Sequence, residues 1–193
     1  MAQTLADCAA WTGFAVTPRV FVSRPAVVSS EQNARLQAWL RHLELLEFDQ
    51  VTLDRDSYDV PPWDQIRSAI KEADGLLILG FRQLHVSEGL WRPGTVESRD
   101  AAPWWGTPWN HIEAGFGLMA GVPVLVAHEA DVTEGVFSRD AWGGDLFGVR
   151  LEANLEAAGM MVAPSSGDTS IAVVTAWAQA VKDRVSIRVT SST

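Results

Sequence analysis

Apolar residues recur along this chain in blocks that alternate between two periods. Arg19 to Ser23 (R-V-F-V-S) is a short β-branched and aromatic run, which predicts a first strand. Ser29 and Ser30 follow, with Gln32 three residues after Ser29 as in a capping box. From Glu31 to Glu47, Leu36, Leu40, Leu43 and Leu46 return at three- and four-residue steps and line one helical face, which leaves His42 to the surface. Asp49 to Leu53 reads as a second strand, closing on the polar run 54–59 (D-R-D-S-Y-D). Pro61 and Pro62 suit the first turn of a second helix, whose buried stripe is Trp63, Ile66 and Ile70 and whose end is Ala73-Asp74-Gly75. Gly75 to Phe81 (G-L-L-I-L-G-F) is continuously apolar, as expected of a central parallel strand covered on both faces.

The second half is less regular. Arg82 to Pro108 is polar and Trp-rich, and longer than compact domains carry without a purpose. A helix is predicted from about Asn110 to Ala120, stopping at Gly121, then a strand from Pro123 to Ala127. Weaker strand signals lie near Gly148 to Leu151 and Met160 to Ala163. The last helix, from about Asp168 to Val185, puts Ile171, Val174, Trp177 and Val181 on one face. Strands alternating with helices predict a single α/β domain with a parallel sheet and right-handed crossovers. The alternative is a more irregular α/β sandwich, because Glu129 to Met161 does not repeat the pattern cleanly. The domain is expected over residues 19–189, after a loosely ordered segment 1–18 and before a tail 190–193.

Composition narrows the function classes. With 47% apolar and 20% charged residues, the 193-residue chain can bury a sizeable core and does not resemble a disordered one. Fifteen basic against 24 acidic side chains give a net charge of −9, which argues against a nucleic-acid partner. The single cysteine, Cys8, rules out an internal disulfide framework, and no histidine pair has metal-ligand spacing, so no metal centre is expected. The N-terminus lacks a cationic start and carries Asp7, unlike a signal peptide. The longest uncharged apolar stretch, Ala114 to Ala127, has 14 residues, short of the roughly 20 that span a bilayer. The expectation is a cytoplasmic protein with no membrane partner. No nucleophile elbow, dinucleotide fingerprint or Walker-type loop is present.

In an open parallel sheet, ligands bind outside the carboxyl ends of the strands, where the strand order reverses. Those ends are Ser23-Arg24-Pro25, 54–58, Gly80-Phe81-Arg82 and His128-Glu129, and the segment from Trp104 to Glu113 belongs to the same edge. Val20-Phe21-Val22-Ser23, then Asp54-Arg55-Asp56, then Ile66 to Gly80, then Thr107-Pro108-Trp109-Asn110-His111-Ile112-Glu113 stand in the order seen in TIR domains, which this part of the chain resembles. Glu113 to Val124 (E-A-G-F-G-L-M-A-G-V-P-V) is similar to a segment of nucleoside 2-deoxyribosyltransferase-like proteins. The resemblance covers about residues 19 to 127. Asn110 stands where TIR domains usually have cysteine, Pro61-Pro62-Trp63 replaces their loop glycine, and Ser23-Arg24-Pro25 is less glycine-rich than a transferase's first loop.

The resemblance implies a flavodoxin-like (Rossmann-like) parallel sheet flanked by helices. It also implies cleavage of an N-glycosidic bond in NAD or a related nucleoside or nucleotide, with NAD as substrate and no resident cofactor. Such cleavage passes through an oxocarbenium-like state, and Glu113 is the carboxylate that would stabilise or attack it. Asp56, Tyr58 or His111 could protonate a leaving base. Arg24, or amides beside Ser23, could hold a phosphate; Trp104, Trp105 or Trp109 could stack on a base, and Phe81 completes the lining. For bacterial TIR proteins the resemblance further implies defence or signalling and a homo-oligomeric active form. Plain structural readings stand beside these. Asn110-x-x-Glu113 has the form of a capping box, the tryptophans could cover an edge or an oligomer interface, the aspartates 54, 56 and 59 could be a solvated turn, and Arg24 a surface ion pair. The second function class is therefore a nucleotide-sensing or protein-interaction module without turnover.

Overall fold

A computed structural model describes residues 16–53, 62–152 and 169–191. In chain order the strands are β1 (Arg19–Ser23), β2 (Asp49–Val51), β3 (Gly75–Gly80), β4 (Leu84–His85), β5 (Leu90–Trp91), β6 (Arg99–Asp100), β7 (Trp104–Trp105), β8 (Val124–His128) and β9 (Leu146–Arg150). The helices are α1 (Ser30–Leu45), α2 (Trp63–Glu72), α3 (Pro108–Met119) and α4 (Thr169–Ser191). Five strands form one sheet in the order β2-β1-β3-β8-β9, and each neighbouring pair is parallel. This is the flavodoxin-like order, and β9 joins it as a regular edge strand, which removes the irregular sandwich alternative.

The two central strands explain their own composition. Every residue of β3 and β8 is buried, because helices cover both faces. With a period of two, Val20, Val22, Leu77, Leu79, Leu125 and Ala127 meet α1 and α4 through Leu36, Trp39, Trp177 and Val181. Phe21, Leu76, Ile78, Val124 and Val126 meet α2 and α3 through Ile66, Ile70 and Ala114. Gly117 lets α3 lie close to the sheet, since a Cβ there would come within 2.6 Å of Leu76 Cδ2.

Several boundaries and faces differ from expectation. The Ser29–Gln32 capping box forms as predicted, but α1 stops at Leu45, two residues before Glu47 takes a φ of 61°. Its buried face is rotated toward Trp39, whose indole donates to Leu151 O at 3.2 Å, so Leu40 and Leu46 are only half-buried. His42 turns inward with Trp39 and is 2% exposed rather than on the surface. Trp63 is 43% exposed instead of part of the buried stripe, because it sits in the first turn of α2 against Trp109, with ring centroids 5.2 Å apart. In α4, Val174, Trp177 and Val181 are buried as predicted, but the helix runs through Ser191, where a tail had been expected from residue 190. Arg188 ties its last turns to Glu72 O and Asp74. The strand signal at Met160 to Ala163, the Cys8 segment and Pro61 lie outside the described residues. No described helix is long and apolar enough to cross a membrane.

The stretch from Arg82 to Thr107 leaves the sheet and returns as two small antiparallel ribbons, β4 with β7 and β5 with β6. Nearly all of residues 84–100 are exposed, which explains the lack of any apolar period there.

Candidate functional site

The strand order reverses between β1 and β3, so their carboxyl ends define the crevice predicted for this sheet. Ser23 closes β1 and is 2% exposed. Its hydroxyl accepts a hydrogen bond of 2.9 Å from Asn110 Nδ2, from the first turn of α3. Asn110 is fully buried, and its Oδ1 accepts from Thr107 N at 3.1 Å and Thr107 Oγ1 at 3.0 Å. Thr107 and Asn110 thus make the capping box, with Pro108 at the first helical position, and the helix begins two residues before the predicted start. Glu113 takes no part in the cap, contrary to the Asn110–Glu113 box. It lies a turn farther along α3 and is 3% exposed, with Oε2 out of contact with solvent. The capping reading of Glu113 is therefore not what the fold adopts.

The tryptophans do not converge. Trp104 lies in β7 with His85 stacked on it at 4.4 Å and the Arg82 guanidinium 5.5 Å from its ring centroid. Trp105 meets the edge of His111 at 6.4 Å, and Trp109 faces α2 through Trp63. Phe81 is fully buried in the core beneath α1 and α4. His111 and His128 both pack on Phe137, at 5.4 and 5.7 Å. Phe137 is seated on two glycines: a Cβ on Gly80 would come within 2.5 Å of its ring, and one on Gly106 within 3.2 Å. That ring therefore fills the edge where β3 and β8 end. Burial lowers the pKa of His111, whose Nδ1 accepts from Val136 N at 3.4 Å and whose Nε2 is buried without a partner among the described residues. Its imidazole is neutral at neutral pH, which makes it a poor proton donor to a leaving base.

A second buried glutamate stands at the same edge, with a structural role that the sequence reading did not assign it. Glu129, 2% exposed, follows β8 at the same edge. Its Oε2 accepts from Gln32 Nε2 at 3.0 Å, Arg82 N and Arg82 Nε, and its Oε1 accepts from Arg35 Nη1 at 3.0 Å. A carboxylate offers about four acceptor positions, so these donors leave Glu129 little capacity for a ligand. It fastens α1 to β3 and β8. The only local signal for it is a lone acid directly after an all-apolar strand.

Of the predicted site residues, Ser23 is bonded to the first turn of α3 through Asn110, Glu113 lies a turn farther along that helix, and Arg24 follows Ser23, half-buried, with Nη1 near Pro25 O at 3.5 Å. Trp105 and His111 form an adjoining aromatic group, while Trp104, Trp109 and Phe81 go elsewhere. Asp56 and Tyr58 lie outside the described residues. Among the described residues no group of three or more His, Cys, Asp or Glu side chains could hold a metal ion.

No protein-family model and no curated protein matches the sequence. Solved structures do. The CMP N-glycosidase of Clostridium botulinum is 16% identical with a TM-score of 0.44, over 72% of this chain and 96% of that one. A 2-deoxyribosyltransferase of Bacillus psychrosaccharolyticus is 11% identical with a TM-score of 0.45, over 79% and 95%. A conserved protein from Enterococcus faecalis is 12% identical with a TM-score of 0.38, over 65% and 72%.

Proposed function

We propose that this chain cleaves the N-glycosidic bond of a nucleoside or nucleotide, NAD included, with Glu113 as the carboxylate facing the sugar. The observation that carries the reading is the β1–α3 junction. A buried glutamate stands a turn beyond a cap that Asn110 fastens to the end of β1, at the reversal of strand order. A carboxylate kept from water stabilises developing positive charge more strongly than a solvated one. In this scheme the bond from the anomeric carbon to the base nitrogen breaks, and its electron pair leaves with the base. Glu113 either steadies the resulting cation until water adds or forms a transient ester with it. Nicotinamide departs neutral and needs no acid. Any other base needs a proton, for which Asp56 and Tyr58 are better placed chemically than the neutral His111. Arg24 is the proposed phosphate contact and Trp105 the stacking surface.

The 3% exposure of Glu113 favours a second reading, a nucleotide-binding module without turnover. Both are tested by incubating the protein with NAD, nucleosides and nucleotides, following base release chromatographically and binding calorimetrically. The first reading expects release of nicotinamide or a free base and a loss of about 10²–10³-fold in Glu113→Gln. Binding without release supports the second, and neither binding nor release overturns both.

A further inference from the structure

The amino end of the sheet, opposite this junction, carries a hollow of about 670 Å³ that the proposed reaction does not use. It lies where β1 and β3 begin. Ser68 and Lys71, three residues apart on α2, line one side, and Arg184 and Arg188, four apart on α4, line the other. With Arg19 added, four basic side chains oppose Glu72 and Asp74, a local charge of 4 − 2 = +2. The whole chain carries −9.

Part of this is structural. Arg184 donates to the carbonyls of Ala120 and Gly121, and Arg188 to Glu72 O at 3.4 Å, so both meet the negative carboxyl ends of α3 and α2. Two features are left over. The Lys71 ammonium has no hydrogen bond or ion pair among the described residues. Asp74 is 1% exposed; its Oδ2 accepts from Arg19 N at 2.9 Å and Arg188 Nη2 at 3.2 Å, while its Oδ1 is buried with no donor among the described residues. An ammonium without an acceptor and a buried carboxylate oxygen without a donor border the same hollow.

We propose that this hollow binds a phosphomonoester of a hydroxyl-bearing small molecule. The phosphate meets the Lys71 ammonium and the Ser68 hydroxyl within the cationic wall, and a hydroxyl of the ligand gives Asp74 Oδ1 its missing donor. The volume suits a small ligand, since such sites commonly measure about 300–1,000 Å³. This site does not depend on the glycosidase reading.

Calorimetric titration of the full chain at low ionic strength, with inorganic phosphate and with ribose 5-phosphate, tests it. Saturable binding of both is expected, tighter for ribose 5-phosphate. Lys71→Glu should weaken each by about tenfold or more, and Lys182→Glu, on the same helix as Arg184 but outside the hollow, should leave both unchanged. Absence of saturable binding overturns the site, as does binding undiminished by Lys71→Glu or equally weakened by Lys182→Glu. Equal affinity for the two probes overturns the role given to Asp74.

Discussion

Where α3 meets β1 the fastening is neutral, and where α1 meets β3 and β8 it is charged. In the first, Thr107, Asn110 and Ser23 exchange hydrogen bonds without an ion. In the second, Glu129 gathers Gln32, Arg35 and Arg82. Both are buried at the same edge, yet they fail differently when cut. Removing the donors of Glu129 strands a carboxylate away from water, whereas cutting the neutral set strands one hydroxyl. Burial alone does not assign an acid its role. Glu129 is 2% exposed, and its donor set identifies it as a structural part.

The largest effect should come from Arg35→Ala combined with Arg82→Ala. With Gln32 and one amide remaining, the buried charge is under-compensated, and urea unfolding should show a loss of about 3–5 kcal/mol. A loss below about 1 kcal/mol would place this cluster among ordinary surface pairs and erase the contrast. Asn110→Ala comes next. It removes the cap partner and leaves Ser23 Oγ buried without its donor, at a cost of about 1–3 kcal/mol in the same measurement. An unchanged midpoint would mean the neutral fastening holds nothing.

The smallest effect is in pH dependence. Burial lowers the pKa of His42, His111 and His128 from 6.5, and for His128 the nearby Arg150 adds to it. The native state then binds fewer protons than the unfolded chain. Stability from these groups is complete above about pH 6.5 and is lost as pH falls below it. Melting temperature should fall on acidification through that range, and His42→Leu should flatten the slope, since both ring nitrogens of His42 are buried without partners among the described residues. An unaltered slope in that variant would assign the acid sensitivity elsewhere.

How much of this was legible from sequence depends on how local each determinant is. β1, β3, β8 and the Ser29 cap follow from runs and spacings within a few residues, and the structure has them. The start of α3 was misplaced although Thr107-Pro108 carried a sufficient signal, because Asn110-x-x-Glu113 offered a competing box one turn later. The inward turn of His42 is set by a bond from Trp39 to Leu151, and the work of Glu129 by residues 47 to 97 positions away. Such partners are settled by tertiary packing and leave no trace in local periodicity. Near the candidate site, the Asn110 bond to Ser23 spans 87 positions and has no local signal, and Trp104, Trp105 and Trp109 share a sequence neighbourhood without sharing a direction.

The seating of Phe137 on Gly80 and Gly106 ties the 3-10 turn that carries it to the ends of β3 and β7. The ring is held by the absence of two side chains rather than by a bond. A methyl group at Gly80 would meet it within 2.5 Å and push the turn off the sheet, so each glycine acts as a spacer whose width sets where the turn comes to rest.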